Sequence, residues 1–355
     1  MTQEEKLTAL LAQIPSGDAS AEADAHAHWA SLAKPLGSLG ALETDLEQIA
    51  SLTGSAEIPP FAKRLYVFCA DNGVVAQGVT QTDSSVTAAV TRELALRRTA
   101  VCRMAERADC PMEVIDMGVL NFAGFDGVRD CRIRNGTDDF TKGPAMTREQ
   151  AAAAILTGFR LAGEAKQDGV TLLAVGEMGI GNTSTSSAMA SVLLGRSPVE
   201  MTGRGAGLSD EGLARKVAAV EKGIAVNRPE AADPLGVLAA VGGLDIGGIC
   251  GMILGGAYHR IPVLMDGLIT NVAALLAGRL CPNARGAVLA SHTSDEPAVA
   301  AVMEALDAHP LIDAGMRLGE GTGAMAAIPM LEMALAVYSE AYTFDEGGIE
   351  PYRPC

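Results

Sequence analysis

Aromatic side chains are scarce in this chain: one Trp, five Tyr and seven Phe make up 4% of 355 residues. Its 48% hydrophobic content is carried mostly by Ala, Val, Leu and Ile, a mixture suited to helices laid over a parallel sheet. Positive charge is scarce too. With 27 Lys+Arg against 43 Asp+Glu the formal charge is -16. No basic cluster offsets it, which argues against nucleic acid as a partner. A small anionic ligand stays compatible, because backbone N–H groups and a few local cations act at short range.

Recognisable metal, hydrolase and nucleotide signatures are missing as well. The seven cysteines, Cys69, Cys102, Cys110, Cys131, Cys250, Cys281 and Cys355, form no Cys-x-x-Cys pair and have no His at zinc-ligand spacing. Buried free thiols are expected, with no metal and no cofactor. No Gly-Lys-Ser/Thr ending marks a Walker loop, no Gly-x-Gly-x-x-Gly follows the first strand, and no Gly-x-Ser-x-Gly elbow accompanies Ser291, His292 and Asp295. The acidic start, Met1 to Lys6, lacks the features of a signal peptide, so a cytoplasmic location is expected. Segment 234–257 is apolar enough to raise a membrane question. Asp245 and several glycines interrupt it, and a buried helix pair or helix-loop is expected there.

What is present reads as βα units. Short apolar runs at 65–69, 112–115, 172–175, 262–265 and 287–290 end at Asp71, Asp116, Glu177, Asp266 and Ser291 or just before them. Ala-rich stretches at 148–166, 209–225 and 270–280 suit crossover helices. The fold class is therefore α/β, with chemistry expected beyond the carboxyl ends of the strands. Residues 1–55 and 324–355 look helical and are expected to form a small domain beside a large α/β domain spanning 56–323.

Four segments can carry chemistry. Gly176 to Ser186 follows a strand and leads into a helix, so Gly179, Gly181, Asn182 and Thr183 form a candidate anion cradle. The turn 202–208 precedes a helix bearing Lys216, which is either a solvated cation or a point charge for phosphate. Ser294 can donate to a phosphate. The loop Arg317-Leu318-Gly319-Glu320-Gly321-Thr322-Gly323 sets a carboxylate between glycines before an apolar helix. Glu320 there is either a helix-start acid or a catalytic base, and Arg317 beside it favours the second reading.

Taken in order, these segments resemble the nicotinate-nucleotide:5,6-dimethylbenzimidazole phosphoribosyltransferase family, the CobT family. The likeness is spread over Lys34 to Gly40, Gly136-Thr137 with Asp139-Phe140, Gly176 to Thr183, Gly203-Arg204-Gly205, Gly242-Gly243, Met265-Asp266-Gly267 and Gly319 to Gly323. The resemblance implies a Rossmann-like domain, a homodimer, and transfer of 5-phosphoribose from nicotinate mononucleotide to a benzimidazole-type base. It implies Glu320 as the base that removes the incoming N–H proton, with Glu177 in a supporting role. Phosphate and nucleotide contacts would fall to Gly179, Gly181, Asn182, Thr183, Lys216, Ser294, Arg317, Gly319 and Gly321, and base contacts to Thr82, Asp83, Ser84 and Leu318. The chain departs from the family in two places. Asn72 stands where a His is usual, and Thr82 and Asp83 lie where an aromatic residue and a proline are usual, which implies a more polar base pocket and a shifted or broadened base preference.

Overall fold

The computed structural model describes residues 1–352. Cys355 lies outside them. Six parallel strands form the sheet: β1 Lys63–Ala70, β2 Met112–Gly118, β3 Val128–Asp130, β4 Leu172–Met178, β5 Val263–Leu264 and β6 Val288–Leu289. Their order is β3-β2-β1-β4-β5-β6. The chain first winds outward through β2 and β3, then returns across β1 to begin β4. That reversal splays the connections leaving β1 and β4 apart and opens a crevice at their carboxyl ends.

Both faces of the sheet are buried, and alternate residues of β1 sort into the two layers. Tyr66, Phe68 and Ala70 pack beneath the helices Arg148–Gln167, Asn182–Leu194, Leu244–His259 and Leu268–Leu280. Leu65, Val67 and Cys69 face the helices Ser85–Ala95, Ala100–Arg107 and Thr322–Glu340. Near-continuous apolar strands are what burial on two sides requires.

The terminal helices do meet. Trp29 and Tyr338 pack edge to face at 4.9 Å, and Leu32 bridges Thr343. Their core, however, is not separate from the sheet: Trp29, Ile49 and Leu331 share one apolar cluster with Leu65 and Val67. The first helix, Gln3–Leu11, goes to the opposite layer, where Leu7 joins the cluster around Ile155. The boundary expected near residues 55 and 323 therefore does not coincide with a break in packing. A long apolar helix such as Thr322–Glu340 finds its burial against the β-sheet itself.

The apolar stretch 234–257 is a helix pair, Pro234–Val241 followed by Leu244–His259, and the second helix is buried along almost its whole length. Among the described residues, Thr322–Glu340 alone has the length and apolar content to cross a membrane, and 56% of that window is buried in the protein. Glycine explains the crossing of Leu244–His259 with Arg148–Gln167. A Cβ on Gly251 would collide with the Ile155 carbonyl, and one on Gly158 with the Gly248 carbonyl. Both obstacles are backbone, so neither can swing aside. Gly251→Ala is therefore expected to lower stability by about 1–3 kcal/mol, whereas Gly143→Ala, in open space, should leave it nearly unchanged. Denaturant melts of the two variants would decide this, and equal midpoints would refute the packing argument.

Candidate active site

One cleft lies over the switch between β1 and β4. Its walls come from Val79 to Thr82 after β1, Glu177 to Thr183 after β4, Asp266 to Thr270 after β5, His292, Ser294 and Glu296 after β6, and the loop Arg317 to Glu320. Arg204, Gly205 and Lys216 close one end. Of the polar strand ends recognised in the sequence, Glu177 and Asp266 meet in this cleft; Asp71, Asp116 and Ser291 do not line it, and Asp71 and Asp116 instead accept the N–H groups of Leu120, Gly118 and Val119.

The Glu320 loop is held in an uncommon conformation. Gly319, Glu320 and Gly321 have φ of 89°, 62° and 98°. Three successive left-handed residues turn the chain sharply, and a non-glycine residue there costs on the order of 1 kcal/mol. The loop also runs close over β4: a Cβ on Gly176 would collide with the Glu320 carbonyl. Asp266 anchors it from below, accepting the Gly321 N–H at 2.9 Å and the Gly323 N–H at 2.7 Å. Burial pushes the Asp266 carboxyl up, while nearby His292, 3.9 Å away, and the loop N–H groups pull it back.

Glu320 itself is half-buried. Burial raises its carboxyl above the usual range, chiefly by desolvation; the Thr99 hydroxyl pulls it down, Asp266 pushes it further up, and the Val101 N–H opposes that. Glu177 is buried, and its carboxyl is pushed up to about 8, first by desolvation and then by Asp245. Asn182 uses its amide group on both acids, donating to Glu177 Oε2 and, at 2.9 Å, to Asp245 Oδ2. The Glu177 side of the cleft is therefore a wall of buried carboxylates.

The same cleft also carries a cation. Lys216 is fully buried, so its solvated alternative is set aside. It donates to Thr183 Oγ1 and to the Gly203 carbonyl, both at 2.9 Å. Desolvation lowers its ammonium to about 8, with Glu296 acting the other way. Beside it, the helix Asn182–Leu194 opens with Gly181 as N-cap and no side-chain cap. Its first N–H groups and the Lys216 ammonium together suit an anion of phosphate size.

Several expected residues are placed differently. Gly179, Gly181, Asn182, Thr183, Lys216, Ser294, Arg317, Leu318, Gly319, Glu320, Glu177 and Thr82 line the cleft; Gly321 does not line it, its N–H bonded to Asp266. Asp83 and Ser84 do not line it. Asp83 is exposed and accepts the Ser85 N–H at 2.8 Å, a local turn that starts the helix Ser85–Ala95. Arg317 is exposed and faces Asp295 at 3.6 Å, poised at the rim. The sequence reading assigned no role to Asp266, His292, Glu296 or Asp245. Asp266 had a signal, since it ends an apolar run and precedes glycine. Asp245 had one too, as a lone acid within an apolar stretch. No group of three or more His, Cys, Asp or Glu suited to a metal occurs among the described residues.

The raised Glu177 carboxyl has a consequence for stability. The folded chain keeps a proton there that the unfolded chain releases above about 4.5. Its stabilising contribution is complete below that pH and disappears as pH rises through about 8. Glu177→Gln should therefore show a shallower loss of thermal stability than the parent between pH 5 and 8. Parallel curves of melting temperature against pH would rule this out.

Comparison with known proteins gives a consistent likeness. Residues 14–349 match the phosphoribosyltransferase family model. A nicotinate-nucleotide–dimethylbenzimidazole phosphoribosyltransferase of Ruminiclostridium cellulolyticum is 45% identical over 323 residues, covering 91% of this chain and 92% of its own. One from Geobacter metallireducens is 39% identical over 348 residues, covering 98% and 99%. The crystal structure of CobT from Thermus thermophilus superposes with a TM-score of 0.88 at 37% identity, covering 94% of this chain and 100% of that one.

Proposed function

This chain belongs to the nicotinate-nucleotide–dimethylbenzimidazole phosphoribosyltransferase family, and on that footing we propose that Glu320 is the base of its phosphoribosyl transfer. The enzyme moves 5-phosphoribose from nicotinate mononucleotide to 5,6-dimethylbenzimidazole, a step of cobalamin biosynthesis. The observation that carries the assignment is the loop geometry: a half-buried carboxylate held at φ 62° between two left-handed glycines, lining the cleft over the sheet switch.

The chemistry asks for one base. In nicotinate mononucleotide the ring nitrogen is already a pyridinium, so the C1'–N bond can break with its electron pair going to nicotinate and no proton needed on the leaving group. As one benzimidazole nitrogen attacks C1' from the opposite face, its other nitrogen loses a proton to Glu320. A single displacement inverts β to α, giving α-ribazole 5'-phosphate. Glu177, which holds its proton up to about pH 8, suits a positioning role in the cleft in support of Glu320. Burial raises the Glu320 carboxyl, which makes it a better proton acceptor once ionised.

Phosphate binding falls, in this reading, to the Gly179 to Thr183 turn and Lys216, with Ser294 beside them and Arg317 at the rim. Backbone N–H groups of the 179–183 turn and a buried ammonium can hold a doubly charged phosphate against a chain of net charge -16, because the distant field is screened and the local one is not. The enzyme is proposed to act as a homodimer, as the resemblance implied. Incubation with nicotinate mononucleotide and dimethylbenzimidazole should yield nicotinate and α-ribazole 5'-phosphate by chromatography. Glu320→Gln should lose turnover by about 100-fold or more while still binding nicotinate mononucleotide; parental turnover in that variant would refute the base assignment.

A broadened base preference is part of the same proposal. The cleft lining includes Thr80, Gln81 and Thr82, none of which offers a flat apolar face to a bicyclic base. Offered together, dimethylbenzimidazole, benzimidazole, adenine and a phenol should compete within about tenfold of one another, a difference of about 1.4 kcal/mol. Strong selection of dimethylbenzimidazole would contradict this.

A further inference from the structure

An acid placed immediately before a helix ordinarily serves that helix. Glu320 precedes Gly321, the N-cap of Thr322–Glu340, where unpaired N–H groups and the positive end of the helix attract a carboxylate. A carboxylate so engaged is held ionised and accepts protons poorly. In this protein the position is already taken. Asp266, 1% exposed and reaching from the end of β5, accepts the N–H groups of Gly321 and Gly323, and no side chain within the loop caps the helix.

We propose that Asp266 is a positioning residue for the transfer reaction: it caps Thr322–Glu340 in place of Glu320, leaving the Glu320 carboxylate free to take the proton of the incoming base. The proposal rests on the reading of Glu320 given above. Two effects act together. Geometrically, both oxygens of Asp266 grip alternate N–H groups of one turn, which fixes the left-handed residues before it. Electrostatically, a buried negative charge behind the loop counters the helix end that would otherwise weaken the base.

The groups facing Glu320 come from four elements. Asp266 lies behind it at the end of β5 and disfavours its ionisation, and Glu177 lines the cleft beside it at the end of β4. Thr99 and the Val101 N–H, at the start of the helix Ala100–Arg107, favour it. On its own loop, Arg317 turns toward Asp295. Asp266 is the one acid among these that also holds the loop backbone.

The test is kcat and KM against pH for the parent enzyme, Asp266→Asn, Asp266→Glu and Glu320→Gln. The amide of Asp266→Asn keeps one acceptor oxygen and loses the charge. It should lower kcat about tenfold or more, leave KM for nicotinate mononucleotide within about twofold, and move the acid limb of kcat to lower pH. Asp266→Glu keeps the charge, so its limb should stay where the parent's lies, with part of kcat recovered. A loss of kcat with no movement of the limb in Asp266→Asn would overturn the proposal, as a purely structural cap predicts that result. Should Asp266→Asn fail to unfold cooperatively, Asp266→Glu decides alone, and a displaced limb there overturns it. Parental turnover in Glu320→Gln would instead overturn the reading of the base, so the two failures are distinguishable.

Discussion

Two hydrogen bonds from the Gly321 and Gly323 N–H groups to Asp266 hold together what the rest of the site needs. They join the carboxyl end of β5 to the start of the helix Thr322–Glu340, and thereby fix the turn that carries Glu320. Strand β5 has only two paired residues, so the sheet alone gives little purchase to the loop beyond it. The buried carboxylate supplies that purchase. The glycines around it have the same origin: Gly176 and Gly323 must lack Cβ atoms because the Glu320 carbonyl and the His292 ring occupy those positions.

The cleft brings acids and a cation together. Glu177, Asp266, Glu296 and Glu320 line it along with Lys216 and the start of the helix Asn182–Leu194, and Asp245 lies behind the lining, bonded to Asn182. On the proposed reading these groups meet a substrate that carries both a cationic ring and a phosphate. Burying the acids would be prohibitive if all were ionised at once. Desolvation raises Glu177 to about 8 and Asp245 to about 6, so the wall holds protons that a solvated cluster would release. The single amide of Asn182 serves two of these acids and economises on donors where water is excluded.

Much of the scaffold was legible because burial on two faces leaves a simple trace. Runs such as Leu65 to Cys69 and Leu172 to Val175 are continuously apolar and end at a charged residue, and each forms a strand of the sheet. The very short strand at Val128–Asp130 left no such trace: three residues, partly exposed, have no periodicity to read. The packing partner of the terminal helices was not legible, because helical pattern says nothing about which element buries the apolar stripe. Trp29 and Leu331 look like a core of their own until Leu65 is seen between the same layers. Within the site, glycine-flanked Glu320 and the 179–183 turn were visible as local chemistry. Asp83 was not separable from a pocket residue by sequence, since its turn hydrogen bond depends on where the loop points. Asp245 stood out as a lone acid in an apolar stretch, but only the fold brings it to Asn182.

The cap on Thr322–Glu340 is remote in sequence: Asp266 lies 55 residues before Gly321. The helix can begin to coil from its own apolar content, but its first turn cannot be closed until β5 is laid against β4 and the intervening chain has been looped back, a step that costs conformational entropy. Glu320 therefore acquires its backbone geometry only after the central sheet is assembled. A nascent or partly folded chain can contain most of its helices and still lack the turn at Glu320, so on the proposed reading competence for chemistry and completion of tertiary structure arrive together.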